Sequence, residues 1–227
     1  MLIQNFNYFK KYIVFIGFIS FSILSFGGSY EDFLKALKDD EVKVVSSLLV
    51  RGFDPNTVNL NAEPALLYAL REGSLKSFEV LAKQPKVNLN VRNAHGESAL
   101  MLLCLKGHLH LAKLLISRQA DINHPGWTPL HYAATGGHTE LIQLLLEESA
   151  YIDAESPNGT TPLMMAARYG SGKAVNLLIA EGADIHLKNQ LGLSALDFAL
   201  QGNRPDAIQL LEAAFQKSGL QKSASKP

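Results

Sequence analysis

At 227 residues, 47% of them hydrophobic and 19% charged, the chain has the apolar material for a packed core and is not a disordered polymer. Its formal net charge is zero. Residues 1–27 hold Lys10 and Lys11 and no acid, so the remainder carries 19 basic against 21 acidic side chains; without a basic surplus to displace phosphate counterions, a general nucleic-acid binder is excluded. The single cysteine, Cys104, excludes an intramolecular disulfide and a Cys-x-x-Cys redox or zinc site.

The chain opens with a positive stretch, Met1–Lys11, then a 15-residue apolar run, Tyr12–Phe26, then small residues at Ser25 and Gly27. That order predicts a secretory signal peptide over 1–27, cut before Gly28. The run is short of the ~20 residues of a membrane span; an uncleaved inner-membrane anchor is the alternative. Both put the rest of the chain outside the cytoplasm, and the periplasm is the expected location. A membrane contact is expected only if the segment is retained.

Beyond residue 27, one frame recurs. It reads Pro64-Ala65-Leu66-Leu67, Ser98-Ala99-Leu100-Met101, Thr128-Pro129-Leu130-His131, Thr161-Pro162-Leu163-Met164 and Ser194-Ala195-Leu196-Asp197, at spacings of 34, 30, 33 and 33. Each copy continues as a short helix and a break, at Gly73, Gly107, Gly137, Gly170 and, in the last, Asn203. A second helix follows, with apolar residues at helical spacing, such as Leu111, Leu114, Leu115 and Ile116. Self-similarity at this period predicts a repeat array. A degenerate cap is expected over 30–60, where Asp39 and Asp40 replace the break glycine. Repeats then cover about 61–90, 91–123, 124–153, 154–185 and 186–215, within a domain spanning 28–217; a disordered tail is expected over 218–227. The third repeat is clipped: Asn123 to Thr128 is five residues where Asp153 to Thr161 is eight, leaving His124-Pro125-Gly126-Trp127 as its loop.

These residues resemble the ankyrin repeat, most fully at Thr128–His138 and Thr161–Asp184. The resemblance implies an all-α solenoid of stacked helix-turn-helix units joined by finger turns, and a role in binding protein partners without catalysis. The register and the shortened unit also resemble the signal-peptide-bearing ankyrin proteins of Gram-negative bacteria. Thr128 and Thr161 are expected to cap their helices. Ala133, Ala134, Ala166 and Ala167 are small because neighbouring helices approach there, and Cys104 stands at the same packed position as Ala134.

Catalytic chemistry finds little support. His131 resembles the family's turn-bracing residue, and His108 and His138 follow the break glycine. No nucleophile elbow, phosphate loop or His-Glu-x-x-His is present. His95 and His124 lie in neighbouring fingers, but two histidines without a third ligand make a weak metal site. No cofactor, metal or small-molecule substrate is expected. An enzyme-like or metal-binding protein centred on the finger histidines, and a membrane-tethered inhibitor or immunity-type protein, are the alternatives.

The expected site is a protein-binding face. The slot after the His131 position holds Tyr68, Leu102, Tyr132, Met165 and Phe198; one turn on stand Arg71, Arg168 and Tyr169; the fingers add Arg92, His95, His124 and Trp127. Tyr, Trp, Met and Arg are the types enriched at interface centres. The competing reading packs part of this ladder between helices, Leu102 and Met165 first.

Overall fold

The computed structural model describes residues 28–224. The expected signal segment 1–27 and the last three residues lie outside the described residues. Within them the chain is all-α, with twelve helices and no strand beyond isolated two-residue bridges. It divides into two compact units, at 88/89.

The first unit holds the cap and one repeat: α1 (residues 28–38), α2 (Val42–Val50), α3 (Ala65–Glu72) and α4 (Leu75–Ala82). Phe33, Leu37, Val45, Leu70, Phe78 and Leu81 form its core, all fully buried. Asp40 takes the left-handed conformation that glycine adopts at Gly73, and its carboxylate accepts the Ser77 N–H at 2.8 Å. The acid that replaces the break glycine therefore caps the facing helix instead.

Ser77 is fully buried, yet its hydroxyl has no hydrogen-bond partner among the described residues. The same slot in later repeats holds Leu111, Leu141, Ala174 and Ala207, all buried and apolar. An orphaned buried hydroxyl is a standing cost, and alanine is also the better helix former. Ser77→Ala should raise stability by about 1 kcal/mol. The urea midpoint should rise at unchanged slope; a lowered midpoint would mean that the hydroxyl is satisfied.

The second unit holds four repeats: α5 (Ala99–Lys106) with α6 (Leu109–Ser117), α7 (Pro129–Gly136) with α8 (Thr139–Glu147), α9 (Pro162–Tyr169) with α10 (Gly172–Ala180), and α11 (Ala195–Gln201) with α12 (Pro205–Ala224). α5, α7, α9 and α11 pack side by side as one row; α6, α8, α10 and α12 form the other. Between the first helices Ala99, Ala133, Ala134, Ala166, Ala167 and Ala199 are buried, so the close approach inferred from small residues is present. Leu111, Leu115 and Ile116 are buried as expected of the inner face of α6, while Leu114 is half-buried. Cys104 is fully buried, and burial pushes its thiol up to about 12.

Three local features add to the sequence reading. Gly170 has φ −78° and ψ −136°, so it breaks the helix without the left-handed turn of Gly137, whereas Asn203 (φ 50°) does take that conformation. Thr161 accepts the Met164 N–H at 3.4 Å, and Thr128 opens a capping box in which its side chain takes the His131 N–H while the His131 ring takes the Thr128 N–H on Nδ1 at 3.2 Å. The tail expected to be disordered from 218 is helical to Ala224, where α12 ends.

Candidate partner-binding surface

The clipped finger sets the geometry. In full-length fingers a side chain closes the turn: Asn93 Oδ1 accepts the His95 and Glu97 N–H groups, Asn189 Oδ1 those of Leu191 and Leu193, and Ser156 Oγ that of Thr160. The two Asn turns are each flanked by an isolated antiparallel bridge, Arg92 with Ser98 and Lys188 with Ser194. Three residues earlier in each repeat, another side chain ties it to the next. Asn90 Oδ1 accepts the Asp121 N–H, Asn123 the Tyr151 N–H, and Asp153 the Asp184 N–H, at 2.9–3.1 Å. The three-residue deletion merges these two positions. Asn123 keeps the inter-repeat bond, also donating to Ser149 O. Residues 124–127 are left with no side chain to close a turn, and among the described residues no backbone hydrogen bond closes them. Trp127 leaves this open loop and sets its ring edge-on to His131, centroids 5.2 Å apart.

His131 is the rigid floor. It is 1% exposed. Nδ1 accepts the Thr128 N–H and lies 2.9 Å from Thr128 Oγ1, which fixes the tautomer: Nε2 carries the proton and donates to Thr160 O at 2.9 Å. Burial pushes its pKa down to about 4, so the ring is neutral. This bond also joins the third repeat to the fourth. His138 does the same toward the preceding repeat, with Nε2 donating to Leu105 O at 3.1 Å.

Over this floor Leu105, Trp127, His131, Tyr132, Thr135 and Met165 line a cleft of about 200 Å³. Three of them, Trp127, Tyr132 and Met165, belong to the binding set read from the sequence, and all three are half-exposed. Leu105 and Thr135 were missed, although each stands three residues after Leu102 or Tyr132 and so shares its helix face. Tyr132 is braced: its hydroxyl donates to Glu97 Oε1 at 2.9 Å, while Glu97 Oε2 accepts from Asn93 at 2.7 Å. Burial, with the hydrogen bond to Glu97, pushes the phenol pKa up, so Tyr132 stays neutral.

The other expected residues divide. Leu102 and Met165, the first expected in the core, are half-exposed, while Phe198 is only 8% exposed. At the Phe198 position the Arg168 guanidinium covers the ring, 6.0 Å from its centroid; the same cation lies 5.2 Å from the Tyr169 ring and donates to Gln201 Oε1 at 2.8 Å. Tyr169 is exposed. Arg92 is spent on its own finger, donating to Gly96 O at 2.7 Å. His95 and His124 are both exposed, and no hydrogen bond or ring contact joins them among the described residues. Nor do the described residues place three or more His, Cys, Asp or Glu where they could hold a metal ion. In the first unit, Tyr68 is half-buried under Arg71, whose cation is 5.1 Å from the ring and is paired with Glu63 and Glu72.

Comparison with known proteins accords with this architecture. A family model described as ankyrin repeats (3 copies) matches residues 123–189 and 152–219, and one described as ankyrin repeats (many copies) matches 98–146. The chain is similar to the Notch-regulated ankyrin repeat-containing protein of Xenopus tropicalis, at 35% identity over 89 residues, which is 37% of this chain and 78% of that protein. It is similar to Protein phosphatase 1 regulatory subunit 27 of Mus musculus, at 33% over 93 residues, 40% of this chain and 60% of that one. Against Ankyrin repeat and SAM domain-containing protein 6 of Mus musculus the identity is 32% over 109 residues, 46% of this chain; there the match spans 12% of the relative.

Proposed function

The chain belongs to the ankyrin repeat family, and from that premise we propose that it is a non-catalytic interaction module, exported to the periplasm by residues 1–27, that docks a protein partner on the cleft of its second unit. Ankyrin repeats mark a protein-interaction scaffold. The observation that carries the site is the half-exposed lining of Trp127, Tyr132 and Met165 over a rigid, neutral His131. Apolar and aromatic side chains held in fixed positions lose little entropy on binding, the condition under which a few residues dominate an interface. The volume, about 200 Å³, is below the ~300–1,000 Å³ of sites for whole small molecules. It suits one side chain of a partner.

Trp127→Ala and Tyr132→Ala should each weaken a partner crosslinked and recovered from intact cells by about tenfold or more, with the melting transition of each variant establishing that it is folded. Unchanged affinity in both would remove this surface. Export has its own readout: the intact mass of the protein from cells should lack residues 1–27, and a full-length mass would replace secretion with tethering or retention.

A further inference from the structure

Arg168 gives the docking cleft a chemical preference. It follows Met165 by three residues on α9 and so lies on the same helix face, where such neighbours have Cβ atoms about 5–6 Å apart. Its guanidinium is held in place by the Gln201 side chain and by the Tyr169 and Phe198 rings, but it makes no ion pair among the described residues. Arg71 in the first unit is the contrast, a cation already satisfied by Glu63 and Glu72. At the other edge of the cleft the carboxylate of Glu97 is occupied by Tyr132 and Asn93. The surface therefore offers an apolar pocket beside a pre-positioned cation with donors to spare, and the nearby Glu97 carboxylate is tied down.

We propose that the cleft takes an extended segment of a partner protein carrying a bulky apolar residue and, two residues along, an aspartate or glutamate that pairs with Arg168. In an extended chain residues i and i+2 point the same way about 6.6 Å apart, so one segment can place an apolar side chain in the cleft and a carboxylate further along α9 toward the guanidinium. A planar, fixed guanidinium favours carboxylate over a neutral amide through charge-assisted paired bonds. This inference rests on the docking reading above and narrows it to an acidic partner segment.

The test is a random dodecapeptide library displayed on phage and selected on the whole chain. Trp127 is the only tryptophan, so its fluorescence reports occupancy directly. Selected peptides should share the apolar-x-acid spacing. Changing the acid of a selected synthetic peptide to its amide should weaken binding about 10–100-fold, as should Arg168→Gln, and the two losses should not add. Arg168→Lys should recover part of the loss, and binding should weaken as salt rises. Peptides that need Trp127 but are indifferent to Arg168→Gln and to loss of the acid overturn the acidic preference and leave the docking site standing. Peptides that bind without perturbing Trp127, or no peptide at all, overturn both.

Discussion

His131→Ala is expected to destabilise the protein by about 3–5 kcal/mol. The substitution strips the partner from the Thr160 carbonyl and the Thr128 N–H, both buried, and each such orphan costs about 1–3 kcal/mol. The cavity left by the imidazole adds to this. Domains are stable by about 5–15 kcal/mol in all, so the variant should melt far below the wild type. The same ring predicts an acid sensitivity. Its folded pKa is about 4, against about 6.5 for an unfolded histidine. Between these values the unfolded chain binds the proton and the folded one does not, so the stabilisation is complete above about pH 6.5 and is lost as pH falls toward 4. The loss is on the order of 3 kcal/mol, from roughly 1.4 kcal/mol per unit. His108, lowered in pKa mainly by burial, adds in the same direction. Stability measured against pH should therefore fall across this window in the wild type and much less in His131→Ala. Parallel curves would mean that the ring is not buried neutral.

Gly170→Ala should cost about 3 kcal/mol. A methyl group there would meet the carbonyl oxygen of Ala134 inside contact distance, and Ala166 Cα and O at 2.9 Å. All are backbone atoms of α7 and α9, so no side chain can swing aside; relief needs one helix to move off the other. That places the cost at the upper end of overpacking, about 1–3 kcal/mol. The residue ends α9 immediately after Arg168 and Tyr169, so the shift should also disturb the face on which they stand. A denaturation midpoint within error of the wild type would show that α9 does not seat against α7 in this way.

How much of this was written in the sequence differs from element to element. Repeat period, helix starts and the packed alanines follow from local spacing, because caps and small residues act within a turn of where they stand. Asn203 and Asp40 in glycine slots were readable for the same reason: both tolerate the left-handed conformation. What escaped depends on partners a full repeat away. The Asn90, Asn123 and Asp153 bonds join residues 28–31 apart, and Tyr132 finds Glu97 across 35. Gly170 resembles the other break glycines in sequence, but what a side chain there would meet is the Ala134 carbonyl of the preceding repeat. Exposure along the ladder was reversed at Phe198 and Met165 for a similar reason: the cover over Phe198 comes from Arg168 on the preceding first helix. The short finger was legible as a deletion; that it merges the turn-closing and repeat-tying positions in Asn123 required the hydrogen bonds.

The most direct test of the docking cleft is site-specific photocrosslinking in intact cells, with the photoreactive group placed at Met165 in one sample and at the exposed Gln143 on the outer helix α8 in another. A discrete protein adduct from position 165, absent from position 143 and lost when Trp127 is also changed to alanine, is the predicted result. No adduct at 165, or the same adduct from both positions, would contradict a partner seated on this cleft.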